Sequence, residues 1–165
     1  MKRQVFFSFH YFRDAWRASQ VRNIGVMEGN APVSDNDWET VKRGGDAAIQ
    51  RWIDNQLQYR SCTIVLIGQE TAGRPWIDYE IQKSWAMGKG VLGIYIHNLK
   101  NREGVQTLKG ANPFAKFNLN GVPFSSIVKT YCNVDWEDST DTYRRISENL
   151  DSWVEEAIRI RKLYN

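Results

Sequence analysis

This sequence predicts an α/β fold: a five-stranded parallel sheet in the order 2-1-3-4-5 with helices on both faces. Short apolar, β-branched runs alternate with stretches of helical periodicity, the pattern of repeated strand–helix–strand units. Two of those runs, Cys62–Ile67 and 91–96, are almost unbroken in apolar character, as expected of parallel strands covered on both faces. Right-handed crossovers between parallel strands leave few other arrangements.

The first run, 4–9, is aromatic and β-branched and suits a buried central strand. Asp14 then offers an N-cap for a short helix reaching Asn23, with Trp16, Ala18 and Val21 as its apolar positions. Residues 25–38 hold Gly29, Asn30, Pro32, Ser34 and Asp35, which predicts a short second strand followed by a long polar loop. Over 46–60, Ile49, Trp52, Ile53 and Leu57 recur at helical spacing, so one helix face should pack on the sheet. Gly68 ends the next strand. Pro75 fits the first turn of a helix that runs to Met87 and stops at Gly88-Lys89-Gly90. Between His97 and Ser126, glycines and prolines interrupt any period, which predicts a long connection with short helical pieces or a partner contact. Residues 127–134 read as the last strand. From Thr142, the stripe Tyr143, Ile146, Leu150, Trp153, Val154, Ala157 and Ile160 predicts a long amphipathic C-terminal helix.

The 165 residues fit one domain, 1–165, able to bury a core without disulfides or a structural metal. A hydrophobic fraction of 42% with 13% aromatic residues excludes a disordered or fibrous chain. The net charge is only +3, with basic residues dispersed among acidic ones, so no nucleic-acid partner is expected. No apolar stretch approaches the ~20 residues that span a bilayer. Met1-Lys2-Arg3 leads into a strand-like run rather than a signal-peptide core, so a soluble, cytoplasmic protein without a membrane partner is expected. Cys62 and Cys132 lie in apolar runs where a small reduced thiol is the ordinary occupant. With His10 and His97 they form none of the close pairings of a zinc site, and no metal is expected.

Ligands of such sheets sit outside the carboxyl ends of the strands, near the switch in strand order. A dinucleotide site of the Gly-rich kind would need glycine after strand one, where Ser8-Phe9-His10-Tyr11-Phe12 has none. The same bulky aromatics exclude a flavodoxin phosphate loop. A phospho-acceptor receiver would need a carboxylate after the third strand, where Gly68-Gln69 stands. The segment 73–85 remains. If Pro75 begins its helix, Trp76 and Glu80 share one face near the N-terminal end, setting a carboxylate beside an aromatic plane. An apolar wall raises a carboxyl pKa, and an aromatic ring stacks on a planar base.

Strand one followed by Ser8-Phe9-His10-Tyr11 resembles the first box of TIR domains, and Trp76-x-x-x-Glu80 resembles their Trp/Glu segment on the third helix. The fuller pattern from Val5 to Tyr11, then Trp16-Arg17 and Val21-Arg22-Asn23, is similar more narrowly to the TIR-like ThsB proteins of bacterial Thoeris anti-phage defence, over nearly the whole chain. That resemblance implies a flavodoxin-like, TIR-like fold with Glu80 catalytic and Ser8, Phe9, His10, Tyr11 and Trp76 binding substrate. It implies NAD as substrate with no further cofactor, cleavage of the nicotinamide–ribose bond, and a cyclic ADP-ribose isomer as second messenger. A downstream effector would then be reached through a diffusible nucleotide signal, and TIR surfaces imply self-association. Many TIR domains are instead non-catalytic interaction modules, and on that alternative the segment 97–126 is the interface. Two features depart from the usual pattern: Phe9-His10-Tyr11 is bulkier than the common box, and the loop from Glu28 to Trp38 has no match to the BB loop. From the residues alone, Phe9 is as readily a core residue, His10 and Tyr11 strand-end caps, and Trp76 a packing wall.

Overall fold

The structure is a computed structural model that describes residues 3–24 and 41–165. In chain order its elements begin with β1 (Val5–Ser8), α1 (Tyr11–Arg22), α2 (Asp46–Gln58), β2 (Cys62–Ile67), α3 (Pro75–Ala86) and β3 (Gly90–Tyr95). A small hairpin of β4 (Asn118–Leu119) and β5 (Val122–Pro123) follows, then a 3-10 turn, Phe124–Ser126, then β6 (Thr130–Tyr131) and α4 (Ser139–Lys162).

Among the described residues the main sheet is parallel, with four strands in the order β1-β2-β3-β6, where the sequence led to an expectation of five in the order 2-1-3-4-5. The expected second strand, within 25–38, lies outside the described residues. The other four stand in the relative order anticipated for them. The last strand is much shorter than the expected 127–134. The amides of Ile127 and Val128 both donate back to the Phe124 carbonyl, which closes a turn, and Cys132 has a left-handed φ of 62° that ends the extended run.

Period-two alternation distributes each strand between two faces. Val5, Cys62, Ile64, Leu66, Leu92 and Ile94 point to a core completed by Ala18 and Val21 of α1 and by Ile146, Leu150 and Val154 of α4. Val65, Ile67, Val91 and Tyr95 point the other way, onto Ile77 and Ile81 of α3. At the β1 edge of that second face, Phe6 meets Ile49, Ile53 and Leu57, which recur every fourth residue of α2. Each such side chain taken from water stabilises by about 1.5–3 kcal/mol. On α4 the expected Tyr143 is 40% exposed and Thr142 is buried in its stead, because the helix starts at Ser139, capped by Asp138 accepting from the Thr140 amide at 2.8 Å.

The segment 97–126 is packed rather than hanging free. Leu99, Phe114 and Phe124 are buried. Arg17 of α1 is itself 4% exposed and donates to the carbonyls of Leu99 at 2.8 Å and Val105 at 2.7 Å. The segment crosses the end of β2 so closely that a Cβ on Gly110 would stand 2.1 Å from the Gly68 carbonyl oxygen. Among the described residues no helix is long and apolar enough to cross a membrane.

That crossing generates a test. Gly110→Ala must push two backbone segments apart, and overpacking of this kind costs about 1–3 kcal/mol. Urea unfolding should show a midpoint lowered accordingly, and an unchanged midpoint would contradict the close approach.

Candidate active site

The candidate site begins with strand parity. Ser8 is two residues beyond Phe6, so its side chain lies on the same face of β1, under α3, where its hydroxyl donates to Glu80 Oε1 at 3.1 Å. Pro75 opens α3 at a position whose missing N–H costs nothing, and Arg74 before it is extended, as a residue preceding proline must be. The helix phase then turns Ile77, Glu80, Ile81 and Ser84 inward.

Glu80 is 8% exposed. Burial pushes its carboxyl up to about 8, with the Ser8 hydrogen bond pulling weakly in the opposite direction. A second tether lies one turn further on: the Ser84 hydroxyl donates to the Glu80 carbonyl at 2.5 Å and sits 2.7 Å from Thr63 Oγ1 of β2. The backbone that carries Glu80 is therefore fixed to two adjacent strands.

In front of Glu80 opens a cleft of about 520 Å³. Phe9, His10 and Tyr11 of the β1–α1 turn form one side, and Trp76 and Ile77 of α3 form the other. Phe9 and Tyr11 stack with ring centroids 5.9 Å apart, and the Arg22 guanidinium lies 5.7 Å from the Phe9 ring. Trp76 meets Tyr79 edge-on at 5.8 Å and packs against the α2 cluster, so it is a wall of the cleft held from behind. Phe12, 90% exposed, stands at the mouth. Burial, with Arg74 nearby, lowers the His10 pKa, which favours a neutral imidazole.

Five of the six residues singled out from the sequence thus line one cleft: Phe9, His10, Tyr11, Trp76 and Glu80. Ser8, 1% exposed, is placed behind Glu80 and acts on the cleft through it. The sequence reading missed Lys42 and Arg74, which line the same cleft. Arg74 stands directly before the proline that starts α3, a signal available in the sequence.

Asp14 is not the N-cap it resembles. The helix starts at Tyr11 behind His10, and the Asp14 carboxyl is buried against Gly68, where any Cβ would clash with it at 2.1 Å. Burial raises its pKa to about 6, with Arg17 opposing. Cys62 and Cys132 are free thiols whose pKa values burial raises, that of Cys132 to about 11. Among the described residues no three His, Cys, Asp or Glu side chains gather to hold a metal ion.

Residues 6–101, which carry Ser8, the cleft aromatics and Glu80, match the family described as Thoeris protein ThsB, TIR-like domain. Over 142 residues the chain is 39% identical to a protein of Bacillus cereus (strain MSX-D12) provisionally named cyclic ADP-D-ribose synthase ThsB1, and the alignment covers 82% of this chain and 72% of that protein.

The buried carboxyl predicts a pH dependence of stability. Its pKa rises from 4.5 to about 8 on folding, so the folded state keeps a proton that the unfolded chain releases. The resulting stabilisation is fully present below the unfolded value and is lost as pH rises through the folded one. Glu80→Gln, which imitates the protonated acid, should be less sensitive than wild type to raising the pH across that window. Urea midpoints at several pH values read the difference, and parallel curves would contradict it. Asp14, at about 6, contributes the same slope to both proteins.

Proposed function

The chain belongs to the TIR-like domain family of the Thoeris protein ThsB, and from that membership we propose that it uses Glu80 to break the nicotinamide–ribose bond of NAD and forms a cyclic ADP-ribose isomer as a signal in anti-phage defence. The observation that carries this reading is a buried carboxylate held by Ser8 at an aromatic cleft. The name of the Bacillus cereus relative supplies the class of product.

The chemistry follows from charge. The bond from ribose C1′ to the pyridinium nitrogen breaks with its electron pair leaving on nitrogen, which makes nicotinamide neutral and C1′ oxocarbenium-like. An ionised Glu80 beside C1′ stabilises that positive charge and accepts a ribose hydroxyl, in surroundings where burial strengthens both interactions. Attack on C1′ by a nitrogen of the adenine or a hydroxyl of the adenosine ribose closes a cyclic product, and a hydroxyl nucleophile releases its proton. Attack by water gives ADP-ribose. Phe9, Tyr11 and Trp76 offer faces for planar rings and keep bulk water from the reacting carbon. Burial favours the neutral form of His10, which places no further positive charge beside the cationic nicotinamide ring.

The free carboxyl holds its proton up to about pH 8, and the cationic nicotinamide ring favours ionisation once bound. The kcat/KM for nicotinamide release should therefore rise with pH and level off above about 8. Glu80→Gln should lose roughly 100-fold or more of that rate. Ser8→Ala removes the hydrogen bond that lowers the Glu80 pKa and should displace the acidic limb to higher pH. The measurement is chromatographic release of nicotinamide by wild type and both variants, with purified protein and in extracts of phage-infected cells. Equal release by wild type and Glu80→Gln removes Glu80 from the mechanism, and no release in either setting sinks the proposal.

A further inference from the structure

The same cleft has a distribution of charge that NAD cleavage by Glu80 does not explain. Among the described residues that line it, Glu80 is the one acid, and Lys42 and Arg74 bring two cationic side chains. Arg74 precedes the first turn of α3, and Glu80 follows it by six residues, about 9 Å along the helix axis. Both cations line the cleft that Glu80 also lines, and in a nucleotide the 5′-phosphate is one sugar ring away from C1′, so a cation of the same cleft can meet the phosphate while Glu80 meets C1′. We propose that Arg74 and Lys42 form a diphosphate subsite that makes the cleft select dinucleotides over uncharged nucleosides; this rests on the reading of Glu80 as the group at C1′.

The surroundings of Arg74 suit that task. Its guanidinium donates to the Glu70 carbonyl at 3.1 Å and lies 3.5 Å from the Glu70 carboxylate, while its side chain remains 47% exposed. The same Glu70 carboxylate is held by Arg13 at 2.8 Å. Arg74 can turn to a phosphate without leaving Glu70 unpaired, because Arg13 stays with it. Burial is the main cause of the lowered His10 pKa, and Arg74 and Arg13 add to it against the opposing Glu70, so both arginines lie near enough to act on the cleft wall.

ADP-ribose is the probe, titrated calorimetrically into wild type, the double variant Arg74→Gln with Lys42→Gln, and Arg74→Lys, at low and at high salt. Charge-assisted hydrogen bonds to phosphate predict a roughly 10- to 100-fold weaker affinity in the double variant. Wild type should weaken as salt rises, the double variant should lose most of that dependence, and Arg74→Lys should keep it. Unchanged affinity in the double variant overturns the subsite. So does a loss of affinity with the salt dependence intact, which marks a packing defect, and so does failure of wild type to bind ADP-ribose. Nicotinamide release is scored separately. A wild-type protein that binds ADP-ribose through these cations but never cleaves NAD sinks the cleavage reading and leaves the subsite standing; cleavage with unchanged ADP-ribose binding does the reverse.

Discussion

The hydroxyl of Ser8 meeting the buried Glu80 carboxyl ties the first strand to the third helix at the point where the cleft begins. Burying a carboxyl is unfavourable for its charged form, and a hydroxyl donor offsets only part of that penalty. The fold bears the rest through its apolar contacts on either side. Phe6, next but one to Ser8 on its face of β1, packs into the α2 cluster, and Trp76, one turn before Glu80, leans on the same cluster. Thr63 and Ser84 hold the following turn of α3 to β2. Glu80 is thus surrounded by groups that leave it little freedom to swing into water, the condition under which a carboxylate acts as preorganised charge rather than as a solvated one.

A second constraint works from the opposite face of the sheet. The Asp14 carboxyl lies against Gly68, at the end of β2, where even a methyl group could not fit. Arg17, one turn on, reaches over that end to hold the carbonyls of Leu99 and Val105. Together they draw α1, the β2–α3 turn and the long segment after β3 to one place. The turn bearing Phe9, His10 and Tyr11 begins α1, so fixing α1 also fixes that wall of the cleft. Arg17, 4% exposed, is here committed to backbone carbonyls rather than to solvent.

Much of the sheet was legible in the sequence because apolar runs such as Cys62–Ile67 and the four-residue recurrence of Ile49, Ile53 and Leu57 are local patterns with few interpretations. The short last strand was not. Ile127 and Val128 carry strand-like side chains, but their amides are satisfied by a turn at Phe124, a preference of the backbone that side-chain pattern does not encode. Asp14 likewise looked like a cap by residue type, and only its distance from Gly68 shows the carboxyl engaged elsewhere.

For the site itself, the sequence alone determined that a Trp and a Glu four residues apart would share the face of a helix opened by Pro75, because helical phase is set by spacing. It also determined that Ser8 through Tyr11 would leave the first strand at its carboxyl end. The tertiary structure decided the roles within that frame. It set Ser8 behind Glu80 rather than in the open cleft, made Trp76 a supported wall, and brought Lys42 and Arg74 to the same opening. Those outcomes depend on how α2 and α3 pack over β1. Distance in space between residues far apart in the chain, and the burial that shifts a carboxyl from 4.5 to about 8, exist only once that packing is formed.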